Sequence, residues 1–126
     1  MTGAPTVVIA DDDPDILVLV AIAVERAGLR LLAQATDGAA ALDAVRQERP
    51  DLAILDVAMP ELSGPEVVRE LRADPAFAEL RILLLSASVE DGAIELGMAS
   101  GADYFMTKPF SPRELTAWLA VGKEER

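Results

Sequence analysis

Thr6-Val7-Val8-Ile9-Ala10 runs directly into Asp11-Asp12-Asp13-Pro14. The first five residues are mostly β-branched and carry no charge, so they read as a strand buried on both faces, as in a parallel sheet. The acidic triplet and the proline mark the end of that strand and the start of a helix. Aspartate is a favoured cap and proline suits the first helical turn. Pro14 to Ala27 then places Ile16, Leu17, Val20, Ala23, Val24 and Ala27 on one helical face, and Gly28 follows as a stop.

The same alternation repeats along the chain. Leu52 to Leu55 and Ile82 to Leu85 are further uncharged strands, with Leu29 to Ala35 and Asp103 to Met106 as weaker ones. Asp37 caps a second helix running to about Glu48, and a third runs from about Gly64 to Arg72 before the Asp74-Pro75 turn. A fourth helix, near Glu90 to Ser100, contains Gly92 and Gly97, each of which weakens a helix by roughly 1 kcal/mol relative to alanine. Those glycines have two readings: drift, or a device that keeps an output face near a conformational balance. Ser111-Pro112-Arg113-Glu114 is a capping box for the fifth helix, with Phe110 and Leu115 as its hydrophobic staple. The pattern is (βα)₅ in one domain, 1–126, which calls for a doubly wound α/β fold with helices on both faces and right-handed crossovers.

Composition narrows the chemistry. The 126 residues include no cysteine and no histidine, so thiolate and histidine metal sites, disulfides and the commonest general base are excluded. The formal net charge of -11 and the lack of a basic stripe argue against nucleic acid as a partner of this domain. Neither a long apolar run nor a signal-type N-terminus is present, so no membrane association is expected and the cytoplasm is the expected location.

In an open parallel sheet, ligands bind beyond the carboxyl ends of the strands. The residues there are Asp11, Asp12 and Asp13 after the first strand, Asp56 at the third, Ser86 at the fourth, and Thr107, Lys108 and Pro109 at the fifth. Clustered carboxylates favour a hard cation such as Mg²⁺. A cation and a lysine together neutralise a transferring phosphoryl group, and a carboxylate is a competent nucleophile for an aspartyl phosphate. Taken singly, each residue has an ordinary role: Asp11 to Asp13 as caps, Asp56 in a turn, Lys108 on the surface. The combination is what points to phosphoryl chemistry.

The segments Val-Ile-Ala-Asp-Asp-Asp-Pro at 8–14, Leu-Asp-Val-Ala-Met-Pro-Glu-Leu-Ser-Gly at 55–64, Leu-Leu-Ser-Ala at 84–87 and Gly-Ala-Asp-Tyr-Phe-Met-Thr-Lys-Pro-Phe at 101–110 resemble the receiver domain of two-component response regulators, the CheY-like family. The resemblance extends from Val7 to about Leu119. It implies a flavodoxin-like sheet of order 2-1-3-4-5. Asp56 matches the phosphoacceptor, Asp12 the direct Mg²⁺ ligand, Asp11 a ligand through water, and the Ala58 backbone carbonyl a further ligand. Mn²⁺ is an expected substitute. Ser86 and Phe105 match the switch hydroxyl and the switch aromatic, Lys108 the family's lysine, and Pro109 a proline after a cis bond. Many members have tyrosine at the position of Phe105, so here only ring packing reports the switch, and Tyr104 is expected to point to the other side of its strand. Ala58 and Ser88 occupy positions that tune hydrolysis of the phosphoryl group, which is expected to be slow and set mostly by Ser88 and solvent access.

The implied partners are a histidine kinase or a histidine phosphotransfer protein as donor, and an effector domain or protein at the face of the fourth helix, fifth strand and fifth helix. A homodimer through that face is left open. Val18 and Ile22 lie opposite the core stripe of the first helix, and read either as isolated exposed apolar residues or as a docking patch for the donor. Trp118 reads as packing at the edge of the core, or as a partner surface. Rival functions fit less well. Asp11-x-Asp13 resembles the haloacid-dehalogenase-like nucleophile motif, but Asp15 stands where Thr or Val is wanted and Asp56 would be idle. Ile16 and Ile22 replace the glycine and glutamate of an EF-hand loop. No G-x-G-x-x-G follows the first strand. A degenerate receiver that only binds would not need the complete set of residues present.

Overall fold

The computed structural model describes residues 4–87, 93–108 and 111–124. The expectations for Pro109, Ser88, Gly92 and the Phe110 staple lie outside them. The order of elements is β1 (Thr6–Ala10), α1 (Pro14–Arg26), β2 (Arg30–Ala35), α2 (Gly38–Glu48), β3 (Leu52–Asp56), α3 (Gly64–Arg72), a short 3₁₀ turn (Pro75–Phe77), β4 (Arg81–Ser86), α4 (Ala93–Ala99), β5 (Tyr104–Thr107) and α5 (Pro112–Glu124). The strands form one parallel sheet of order β2-β1-β3-β4-β5.

Alternate residues of each central strand feed two apolar layers. Val7, Ile9, Leu52, Ile54, Leu83 and Leu85 face α1 and α5, while Val8, Ala10, Ala53, Leu55, Ile82 and Leu84 face α2 and α3. Ile9, Ile54, Leu55, Leu84 and Leu85 are at most 1% exposed. Each such side chain contributes roughly 1.5–3 kcal/mol by its burial, and together they make a rigid base beneath the loops that follow the strands. Tyr104 and Phe105 divide between the layers as alternation requires. Tyr104 meets Trp118 edge-on at a centroid distance of 5.0 Å, so Trp118 packs at the core margin.

The helix starts follow local chemistry. The Asp13 carboxylate accepts from the Asp15 N–H at 2.9 Å and Asp37 from the Ala40 N–H at 2.7 Å. Gly28 ends the α1 turn at a φ of 82°, a conformation open to glycine. The Ser111 hydroxyl accepts from the Glu114 N–H at 3.0 Å. Ser63 and Glu66 form a complete capping box at α3, a signal present in the sequence as Ser-x-x-Glu.

Two features were not anticipated. Arg72 fastens the edge of the sheet opposite the acidic loops: its guanidinium donates to Gly101 O at 2.9 Å, Phe77 O at 2.8 Å and Asp103 Oδ2 at 2.7 Å. Asp103 Oδ2 also accepts from the Ile82 N–H at 2.8 Å. The second concerns α4. An added Cβ at Gly97 would come within 3.0 Å of the Phe105 ring and 3.1 Å of Leu84 Cδ1. Gly97 therefore lets α4 lie directly on that ring, a packing role that neither earlier reading of this glycine included. Ile94, Leu96 and Met98 on the same helix are exposed.

Candidate functional site

The carboxyl ends of β1, β3, β4 and β5 lie together at one edge of the parallel sheet. Asp11 and Asp56 are 1% and 5% exposed, and Ser86 is 3% exposed. Asp12 is exposed beside them. Backbone pairing fixes this cluster. The Asp11 N–H donates to Ala35 O at 3.1 Å, the Val57 N–H to Leu85 O at 2.8 Å, and the Lys108 N–H to Ser86 O at 2.7 Å. The backbone at Asp11, just after Asp56 and at Lys108 is thus tied to the end of a neighbouring strand.

Lys108 spans the cluster. Its Nζ donates to Asp11 Oδ2 at 2.8 Å and to Asp56 Oδ1 at 3.1 Å. Asp11 Oδ1 also accepts from the Asp13 N–H at 2.9 Å. Burial pushes the Asp56 carboxyl above the usual carboxylate range; the Lys108 hydrogen bond opposes that shift, and the negative charges of Asp11 and Asp12 add to it. For Lys108, burial acts to lower the pKa, but hydrogen bonds and charge from Asp11 and Asp56 outweigh it and hold the ammonium above its ordinary value.

Asp11, Asp12 and Asp56 each offer a carboxylate oxygen, and these oxygens lie within 4.8 Å of one another. The set is all oxygen and strongly anionic, as Mg²⁺ or Mn²⁺ requires. Ala58, whose backbone carbonyl the resemblance makes a further ligand, is exposed two residues after Asp56. The residues present therefore fit a hard divalent ion.

The remaining expected residues fall close by. Ser86 shares its sheet face with Leu84, whose β5 partner is Phe105, so hydroxyl and ring lie on one side of the sheet. Phe105 packs, partly buried, against the layer containing Leu84. Val18 and Ile22 are 57% and 36% exposed on α1. The sequence reading missed two glycines at this site. An added Cβ at Gly64 would lie 2.5 Å from the Asp56 carbonyl oxygen, and one at Gly38 would lie 1.9 Å from the Leu62 carbonyl oxygen. Spacing alone carries no sign of such close approaches.

Fold and site together define a receiver module, and the chain belongs to the response regulator receiver domain family, which it matches over residues 7–120. It is 41% identical over 111 residues to the alkaline phosphatase synthesis transcriptional regulatory protein PhoP of Bacillus subtilis, covering 88% of this chain and 45% of that protein. It is 40% identical to the DNA-binding response regulator MtrA of Mycolicibacterium smegmatis, covering 88% of this chain and 47% of that one. The chain thus spans about half the length of the curated relatives it matches. Among solved structures, the chemotaxis response regulator CheY4 of Vibrio cholerae superposes with a TM-score of 0.84 at 32% identity, over 94% of this chain and 97% of that one. The receiver domain of the sensor histidine kinase PA1611 of Pseudomonas aeruginosa, described with a magnesium ion coordinated in its active-site cleft, superposes with a TM-score of 0.82 at 25% identity, over 93% of this chain and 95% of that one. Among the described residues, no helix is long and apolar enough to cross a membrane.

Proposed function

We propose that this receiver accepts a phosphoryl group on Asp56 and passes the change to α4, β5 and α5. The observation that carries the reading is the Lys108 ammonium held between Asp11 and Asp56 at 2.8 and 3.1 Å, beside a third carboxylate. Asp12, Asp11, Asp56 and the Ala58 carbonyl would hold Mg²⁺, or Mn²⁺ in its place, Asp11 through water. The magnesium named in the PA1611 receiver's description supports that choice. When bound, the ion supplies charge neutralisation for the phosphoryl oxygens.

The chain's own groups do the rest. An Asp56 carboxylate oxygen attacks phosphorus in line, forming a P–O bond as the bond from phosphorus to its donor breaks. The donor is a phosphohistidine of a histidine kinase or phosphotransfer protein, or a small acyl phosphate. The electron pair of the broken bond leaves with the imidazole or carboxylate. Lys108 stays protonated throughout, consistent with its raised pKa, and neutralises the developing charge. Ser86 then donates its hydroxyl to a phosphoryl oxygen, Phe105 takes the space it leaves, and the Gly97 contact carries that shift to α4. Water later hydrolyses the acyl phosphate slowly, so the chain is a switch rather than a turnover enzyme.

Val18 and Ile22, exposed on α1, form the docking patch for the donor. The PhoP and MtrA relatives, named as transcriptional and DNA-binding regulators, support an effector domain or protein as the output partner, with the acidic receiver itself making no nucleic-acid contact. The test is intact mass after incubation with Mg²⁺ and acetyl phosphate. One phosphoryl adduct is expected on the wild type and none on Asp56→Asn; an adduct of equal yield on both would refute the assignment.

A further inference from the structure

The loop from Val57 to Ser63 joins Asp56 to α3, and it is held from outside by α2. The Pro60 carbonyl oxygen accepts from two N–H groups, Leu62 at 2.8 Å and Gly38 at 3.0 Å. The first of these bonds closes a three-residue turn, and Glu61 at its centre has a φ of 71°. Turns of this kind, with a non-glycine residue at positive φ, are rare and strained. Gly38 is buried at the first position of α2. A Cβ there would lie 1.9 Å from the Leu62 carbonyl oxygen and 2.6 Å from Leu62 Cβ. Only a residue without a side chain allows the α2 backbone to press on the turn.

The rest of the loop is also anchored. Val57 is tied at both backbone groups, its N–H to Leu85 O and its carbonyl to the Gly64 N–H, each at 2.8 Å. Met59 is buried in the α2–α3 layer. Ala58 is the exposed residue between these fixed points, so its orientation follows from where Val57 and the Met59–Pro60 pair are pinned. We infer that Gly38 is a positioning residue for the cation pocket: by seating α2 against the strained Glu61 turn, it sets the backbone that follows Asp56 and so tunes the affinity for a divalent ion. The inference rests on the proposed use of Asp56 and the Ala58 carbonyl.

The test is Mn²⁺ binding by calorimetry on the full chain, with Asp12→Asn as the check that binding is at the acidic pocket. Gly38→Ala intrudes on the turn from the α2 side. Glu61→Pro forces the same exposed turn out of its positive φ from the loop side, and keeps the inference testable if Gly38→Ala fails to fold. Ala41→Gly, one turn further along α2 and fully buried, lowers stability while leaving Gly38 and the Glu61 turn themselves unaltered. Gly38→Ala and Glu61→Pro are each expected to weaken Mn²⁺ binding by about tenfold, the range seen when groups supporting metal ligands are altered. The double variant should be no weaker than the poorer single one, because both break one contact. Ala41→Gly should bind as the wild type does. Wild-type affinity in both single variants, or an equal loss in Ala41→Gly, would overturn the inference while leaving the phosphoacceptor reading intact. Failure of the wild type itself to bind Mn²⁺ through Asp12 would overturn both.

Discussion

Replacing Lys108 with alanine removes the ammonium that bridges Asp11 and Asp56 at 2.8 and 3.1 Å, with the lysine side chain 15% exposed and the two carboxylates 2% and 7%. Removing one partner of a buried pair costs about 3–5 kcal/mol, because the other charge is left uncompensated. Here the cost is smaller. Asp11 keeps the Asp13 N–H at 2.9 Å, and Asp56, already displaced upward by burial, takes up a proton more readily once the lysine is gone. About 2–3 kcal/mol is expected in chelator at neutral pH, a large share of the 5–15 kcal/mol typical of a domain. Urea denaturation of both proteins in EDTA measures it. Mg²⁺ should then stabilise both, by about 1.4 kcal/mol at ten times its dissociation constant. The variant should saturate at lower Mg²⁺, since its carboxylates lack a competing cation. Phosphorylation by acetyl phosphate should fall by roughly 10²–10³, as when one charge-stabilising donor is lost from an active site. A variant as stable as the wild type in EDTA, with no change in Mg²⁺ dependence, would refute the electrostatic reasoning.

Further predictions concern pH and packing. In chelator, the raised Asp56 carboxyl favours folding below its ordinary value of 3.8, and that contribution is lost as pH climbs through its folded pKa. Asp56→Asn lacks this loss, so urea midpoints should show the asparagine variant gaining on the wild type from about pH 4 upward; a constant difference would contradict the burial effect. Gly97→Ala gains about 1 kcal/mol of helix propensity but crowds the Phe105 ring at 3.0 Å, an overpacking of about 1–3 kcal/mol. A net loss of about 1 kcal/mol in urea is therefore expected, and a stabilised variant would mean that α4 moves off the ring at no cost. Arg72→Ala deletes three hydrogen bonds of 2.7–2.9 Å and should lower stability by about 2–3 kcal/mol, while the yield of phosphoryl adduct at the opposite sheet edge stays at the wild-type level.

The parts of this fold that follow from one-dimensional patterns were legible in the sequence. Strand runs such as Thr6–Ala10, the Asp37 cap and the Gly28 stop depend on neighbours a few residues away, and they stand where the pattern put them. Asp11, Asp56, Ser86 and Lys108 were also legible, because strand ends in a parallel sheet converge by topology. What spacing does not encode is contact between distant backbones. Gly38 against Leu62 and Gly97 against Phe105 are such contacts, and each glycine alone reads only as a weak helix position. The Arg72–Asp103 clasp joins residues 31 apart whose charges look like ordinary surface charges until both are placed. The Ser63–Glu66 box is different, since Ser-Gly-Pro-Glu was there to be read.

Reductive trapping addresses the central claim at the level of one atom. An acyl phosphate treated with borohydride becomes an alcohol, so a phosphorylated aspartate is converted to homoserine and marked in place. Peptide mapping after incubation with Mg²⁺ and acetyl phosphate should find homoserine at position 56 alone. Homoserine at position 11, 12 or 13 instead, or at none in a chain that has gained phosphoryl mass, would contradict the account.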